Sequence, residues 1–175
     1  MSATIHPVHA EDAAELIAAN LASRDFHAPW VAPFTDQPGF ETWFAALQGP
    51  ANASFLVRDS AIGALAGVIN LSQIVLGNFC SAYTGFYAVA GQSGRGLMTS
   101  GLRLAAAHAF TALGLHRLEA NIQPGNLRSI ALVRRAGFTR EGFSSAYLRI
   151  AGAWRDHERW ALLAPDGDPS FHITP

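Results

Sequence analysis

Cysteine is almost missing from this chain. Cys80 stands alone, which excludes an internal disulfide and a cysteine-built zinc site and points to a reducing compartment. Charge is scarce too: only 14% of the 175 residues are charged, and 12 basic against 13 acidic side chains leave a formal net charge of −1. Without a basic block, nucleic-acid binding through a broad electrostatic footprint is disfavoured. No apolar run is long enough to cross a bilayer; the longest, from about Ala61 to Ile69, is short and broken by glycines. The first residues lack the apolar region of a secretory signal, and the seven histidines show no metal-ligand spacing. A soluble cytoplasmic protein with no metal, no membrane partner and no direct nucleic-acid partner is the expectation.

What the chain has is apolar mass. Half of its residues are hydrophobic, enough for one well-buried domain over residues 1–175, with a core over 4–164 and a flexible tail over 165–175. The pattern reads as a short strand from Ile5 to Val8, then a helix from Glu11 to Ala22 burying Ala14, Ile17, Ala18 and Leu21. An aromatic and proline-rich stretch from Phe26 to Phe44 is expected to hold a loop and a short helix. Three strands follow (Ser54 to Arg58, Gly63 to Ile74, Phe79 to Val89), separated by Asp59-Ser60 and Gly77-Asn78 turn signals. A helix from Met98 to Leu113, a strand from Leu115 to Gln123, a helix from Asn126 to Gly137 and a closing hairpin across Ala151-Gly152 complete a mixed α/β layer.

The most informative stretch is Val89-Ala90-Gly91-Gln92-Ser93-Gly94-Arg95-Gly96-Leu97-Met98-Thr99, a glycine-rich turn between a strand and a long helix. The opening turn of a helix has N–H groups without intrahelical partners, and the positive end of the helix dipole lies behind them. A pyrophosphate suits such a device. A triphosphate-hydrolysing loop is excluded because no Lys follows Gly96. The simpler alternative is a turn that merely wants glycine.

Beyond this turn, Gly114-Leu115-His116-Arg117-Leu118-Glu119-Ala120, Asn126-Leu127-Arg128-Ser129, Ala136-Gly137-Phe138 and Glu141-Gly142 follow in order. Together with Ser93 to Thr99 they resemble the GNAT superfamily of acyl-CoA-dependent N-acyltransferases. Gly152-Ala153-Trp154-Arg155-Asp156-His157 resembles its ribosomal-protein-alanine N-acetyltransferase (RimJ/RimL-like) branch. The resemblance implies a GNAT fold of the α/β (α+β) class: a mixed, mostly antiparallel sheet of six to seven strands and about four helices, two strands splaying to form an acyl-CoA cleft. It also implies acetyl-CoA as cofactor, held by Val89, Gly94, Arg95, Gly96, Leu97, Met98, Thr99, Asn126 and Ser129. Ser93 stands where the family usually has Gln or Arg, and Met98 where it usually has a small residue.

Period-two alternation puts Leu118, Ala120 and Ile122 on one face of their strand and Arg117, Glu119, Asn121 and Gln123 on the other. Polar residues on an internal strand need bonded partners or a wet cleft. The resemblance implies that Glu119 faces the acceptor amine as its base, with a main-chain N–H near Val89 stabilising the oxyanion and Ser129 protonating the leaving thiolate. The alternatives are an ion pair from Glu119 to Arg117 or Arg149, a solvated Arg95, and purely local capping by Asn126 and Ser129. His157 reads as a strand-surface residue, and Trp154 and Trp160 as covers of the sheet. An α-amine of pKa about 7.7–8.0 is roughly 10–20% neutral at pH 7, against less than about 0.1% for a lysine, so it needs only a modest base acting through water. The expected acceptor is therefore a protein N-terminus, and the resemblance implies one such as that of a ribosomal protein. A small amine, or an acyl-CoA sensor without turnover, is the alternative; a monomer or homodimer is expected.

Overall fold

The computed structural model describes residues 2–165. The expectation for the tail, apart from Pro165, lies outside them. One seven-stranded sheet runs in the order β1-β2-β3-β4-β5-β7-β6. Its strands are β1 (Ala3–Pro7), β2 (Asn52–Asp59), β3 (Leu65–Val75), β4 (Ser81–Ala88), β5 (Arg117–Ile122), β6 (Thr139–Ile150) and β7 (Ala153–Leu163). Every neighbouring pair is antiparallel except β4 with β5, which are parallel. A parallel neighbour needs a crossover, and helix α4 (Leu97–Thr111) supplies it. The remaining helices are α1 (Ala13–Ala22), α2 (Arg24–His27), α3 (Gln37–Ala46) and α5 (Leu127–Ala136). That is one more than expected, the addition being the single turn α2 inside the aromatic stretch.

Two apolar layers sandwich the sheet. On one face Leu97, Leu102, Ala105 and Ala109 of α4 and Val133 of α5 pack on Val57, Ile69, Leu71, Leu118 and Ile122. On the other, Leu16 of α1 and Phe40 of α3 pack on Leu56, Val68 and Tyr87, with Phe34, Trp43 and Phe44 filling in around them. Alternation along β5 divides its side chains between these faces as its sequence requires.

Helix α1 buries a different face from the one expected. Ala13, Leu16 and Asn20 point inward while Leu21 is 49% exposed. An alanine-rich helix leaves the apolar period ambiguous, and the inward position of Asn20 is made tolerable by its Nδ2 donating to the Phe34 carbonyl at 3.0 Å. Helix α5 ends as expected: Gly137 is left-handed (φ 106), and the Phe138 N–H returns to the Val133 carbonyl at 3.0 Å.

Met98 is accommodated by a missing side chain on β3. A Cβ added to Gly67 would lie 2.5 Å from Met98 Sδ and 2.9 Å from Ala88 Cα, and would collide with the Tyr87 carbonyl. Gly67→Ala should therefore lower stability by about 1–3 kcal/mol, the usual range for an overpacked core. Urea denaturation checks this, and an unchanged midpoint would show that Met98 is not wedged there.

Candidate active site

Helix α4 begins at a turn built for a left-handed backbone. Gly94 and Gly96 have φ of 80 and 79, and nothing lies within 4 Å of a Cβ placed on either. Gly96 is the N-cap and offers no side-chain cap. The Ser100 N–H, 3.1 Å from the Gly96 carbonyl, is the first to find a helical partner, so those of Leu97, Met98 and Thr99 are left over. The side chains of Leu97 and Met98 are buried, so only their main chain faces outward. A shallow depression of about 400 Å³ opens here, lined by Gly96, Thr99, Ser100, Arg103 and Arg135. Arg103 donates to the Arg135 carbonyl at the end of α5, so both arginines border the depression. Neither arginine was singled out in the sequence. Arg103 lies four residues after Thr99 and so on its face of the helix, a signal that was available; Arg135 arrives from another helix.

Arg95 points elsewhere. Its Nη2 lies 2.8 Å from Oδ2 of the buried Asp59, and its Nη1 donates to Gln92. It ties the turn to the end of β2, so it is neither a solvated residue nor a free phosphate ligand. A bond from Arg95 to phosphate would have to compete with a partly buried ion pair.

Next to this turn the sheet opens. β4 and β5 share only three register positions, ending at Tyr83↔Glu119, although β4 continues to Ala88 and β5 to Ile122. The expected oxyanion donor, a main-chain N–H near Val89, is not that of Val89 itself. The Val89 N–H is spent on the Ala66 carbonyl at 2.8 Å, and the Ala90 N–H on Ser23 Oγ at 3.0 Å. Because Val89 points to β3, alternation turns the main-chain groups of Phe86 and Ala88 to the opposite edge, where β5 has departed. The Ala88 carbonyl indeed faces that way, accepting from Nε2 of the buried His27 at 2.8 Å.

Helix α2 bridges the gap. His27 bonds β4, while Phe26 lies under the Arg128 guanidinium, 5.4 Å from its ring centroid, and Trp30 packs on Gly125 at the β5–α5 turn. Asn20 Oδ1, His27 Nδ1, Thr84 Oγ1, the Tyr87 hydroxyl and Asn121 Oδ1 are enclosed without hydrogen-bond partners among the described residues; His27 sits at the gap itself, and Tyr87 and Asn121 lie on the two strands that part. Burial pushes the Tyr87 phenol up to about 12, offset in part by the adjoining Asn20 amide.

Glu119 lies on the face of β5 away from α4 and α5, half-buried, with Oε1 accepting from Arg117 Nε at 2.7 Å. Arg117 also holds Glu141. Asn126 caps α5, its Oδ1 accepting the Ser129 N–H at 3.2 Å, so the local explanation of both residues holds. The Ser129 hydroxyl is uncommitted among the described residues. Two readings of the hairpin need correction. His157 is buried rather than on the surface, at 3% exposure, with Nδ1 donating to the Arg155 carbonyl. Trp154 covers nothing and is 65% exposed, whereas Trp160 is buried as expected. No cluster of potential metal ligands occurs among the described residues.

Residues 3–139 match the family model described as "Acetyltransferase (GNAT) domain". The chain belongs to the GNAT acetyltransferase family. It is 33% identical over 170 residues to the "[Ribosomal protein uS5]-alanine N-acetyltransferase" of Escherichia coli, covering 93% of this chain and 88% of that one. A "Probable N-acetyltransferase YjcK" of Bacillus subtilis is 38% identical over 104 residues, which span 59% of this chain and 58% of that protein. Among solved structures, RimJ of Mycobacterium smegmatis in complex with CoA-disulfide superposes with a TM-score of 0.83 at 29% identity, covering 93% of this chain and 82% of that one. The GNAT fold and an N-acetyltransferase activity follow for this chain.

The phenol of Tyr87 gives a pH signature. Its folded pKa, about 12, exceeds the ordinary value of 10.0, so the folded state keeps a proton that the unfolded chain loses between those values. Its contribution is intact below pH 10 and should disappear as pH rises through 12, a loss of up to about 2–3 kcal/mol. Denaturation of wild type and Tyr87→Phe at several alkaline pH values would show this: the wild type should lose more stability than the variant. Equal losses would contradict it.

Proposed function

We propose that this GNAT enzyme transfers an acetyl group from acetyl-CoA to the α-amine of a protein N-terminus, such as that of a ribosomal protein. The observation that carries the reading is the parting of β4 from β5 after Tyr83↔Glu119, beside the unpartnered N–H groups that open α4. Acetyl-CoA supplies the activated acyl thioester. The main chain at Gly94, Gly96, Leu97, Met98 and Thr99, with the Thr99 hydroxyl and the guanidiniums of Arg103 and Arg135, suits a polyphosphate. On the open edge of β4 the Phe86 main chain and the Ala88 N–H remain for an amide-bearing arm, the Ala88 carbonyl being held by His27, and Asn126 at the start of α5 is a further candidate contact.

For the chemistry, the Ala88 N–H, next to Val89, is the main-chain donor for an oxyanion. Glu119 keeps Oε2 clear of its bond to Arg117 and takes the amine's proton through water. Ser129, in the first turn of α5, returns a proton to the departing sulfur. As the amine nitrogen bonds to the acyl carbon, the carbon–sulfur bond breaks; one proton passes from nitrogen to the Glu119 carboxylate, and the Ser129 hydroxyl passes one to the thiolate while taking one back from water, so that serine ends as it began and Glu119 later returns its proton to solvent.

The acceptor class is argued from charge. A polyamine needs several free carboxylates, yet Glu141 binds Arg117, Asp36 caps α3 through the Gly39 N–H, and Glu41 accepts from Gln37, while Glu119 has one oxygen left over. An α-amine, partly neutral at physiological pH, needs fewer. The named uS5-alanine relative adds weight to this reading, and a ribosomal-protein acceptor would place the reaction in the cytoplasm.

Thiol release from acetyl-CoA with a panel of N-terminal peptides and small amines tests the proposal. Turnover on peptides beginning with alanine or another small residue is expected; cofactor binding without turnover on any acceptor would favour a sensor. Glu119→Gln should lower kcat by about 100-fold, the lower range for a positioned base, with KM for acetyl-CoA nearly unchanged. An unaltered kcat would remove Glu119 from the mechanism. Gly96→Val, which places a branched side chain at positive φ in the phosphate cradle, should weaken CoA binding at least tenfold by calorimetry.

A further inference from the structure

The closing hairpin carries a distortion that the transfer reaction described above leaves unexplained. β6 and β7 pair Ser144 with His157 and Leu148 with Arg155, so Ser145, Ala146 and Tyr147 stand opposite Asp156 alone. Ala146 takes φ 47, a conformation costly for a residue with a Cβ, and its N–H is held by Asp156 Oδ1 at 2.8 Å. Bulges re-aim side chains, and this one turns Tyr147 across the sheet face that bears Glu119. Its hydroxyl lies 3.5 Å from that of Tyr83, and its ring rests on buried His157 with centroids 5.9 Å apart. Tyr83 is the β4 residue paired with Glu119 at the point where β4 and β5 separate. A motif on the last hairpin thus delivers a phenol to the apex of the opening.

Hydrogen-bond accounting then limits what the phenol can do. Two hydroxyls facing each other use one proton between them and leave one for a third group. The contact with Tyr83, burial and the nearby charge of Glu119 all keep Tyr147 protonated above its ordinary range, so that proton persists at neutral pH. A reacting amine must direct its lone pair at the acyl carbon, so it cannot accept the proton. A carbonyl one carbon away can. The geometry points to Tyr147, aimed by the Asp156-held bulge, as a specificity-determining residue that binds the carbonyl of the acceptor's first peptide unit and selects α-amines followed by an amide. This rests on the peptide-acceptor reading above and narrows it.

The test compares an alanine-led peptide with the same peptide whose first amide is replaced by an alkene of equal shape. Wild type should prefer the amide by roughly three- to tenfold in kcat/KM, the worth of one neutral hydrogen bond. Tyr147→Phe should abolish the preference through the KM of the amide peptide, leaving KM for acetyl-CoA unchanged. Asp156→Ala should erode the preference with the phenol still present, and Asp156→Asn, which retains an acceptor for the Ala146 N–H, should restore it. Persistence of the preference in Tyr147→Phe or in Asp156→Ala would overturn the inference while leaving peptide acetylation intact. Wild-type turnover of small amines but of neither peptide would overturn the peptide-acceptor reading and the inference with it.

Discussion

The three register positions shared by β4 and β5 are the constraint on which the rest of the site depends. Two neighbouring strands that separate leave main-chain donors and acceptors without partners on both inner edges. Such groups are costly unless water or a ligand meets them. The protein keeps the separation stable by fixing both sides firmly. β4 is held along its length by β3, and β5 by β7. Leu118, Ala120 and Ile122 anchor β5 to the helices on one face, so the strand cannot swing back to close the gap. The opening is therefore a property of two rigid half-sheets rather than of a mobile loop.

Around that opening, ion pairs and aromatic contacts set positions that apolar packing alone would leave loose. The Arg95–Asp59 pair fastens the glycine turn to β2, so the start of α4 keeps a fixed relation to the sheet. Arg117 joins Glu119 and Glu141, linking β5 to β6 and restricting the rotamers of the candidate base. Helix α2 spans from Ala88 to the β5–α5 turn and roofs part of the gap through His27, Phe26 and Trp30. Of the enclosed polar atoms without partners among the described residues, His27 Nδ1 belongs to this roof, and the Tyr87 hydroxyl and Asn121 Oδ1 to the two strands that it spans.

Much of the fold was legible because its signals are local. The glycine turn, the alternation along Arg117 to Ile122 and the Asn126 and Gly137 caps each depend on a few adjacent residues, and each appears where expected. What was not legible depends on partners distant in sequence. Nothing near Arg95 announces Asp59, and nothing near Met98 announces the hole left by Gly67. Trp154 is exposed because it lies on the end of the hairpin beyond the residues of β7 that pair with β5, and His157 is buried against the Tyr147 ring, a contact its neighbours in sequence do not announce. The inward face of α1 is not legible because alanine carries little periodic signal and one of its buried positions is the polar Asn20. Which N–H near Val89 is open to the gap is of the same kind: it depends on the pairing with β3, which takes the Val89 N–H.

A crystal structure with bound CoA tests the central claim most directly. The account predicts the diphosphate within hydrogen-bonding distance of the N–H groups of Gly96, Leu97 and Met98, and the pantetheine arm passing between β4 and β5 along Phe86 to Ala88. A diphosphate bound away from the start of α4, or an arm that leaves the gap between those strands empty, would contradict it.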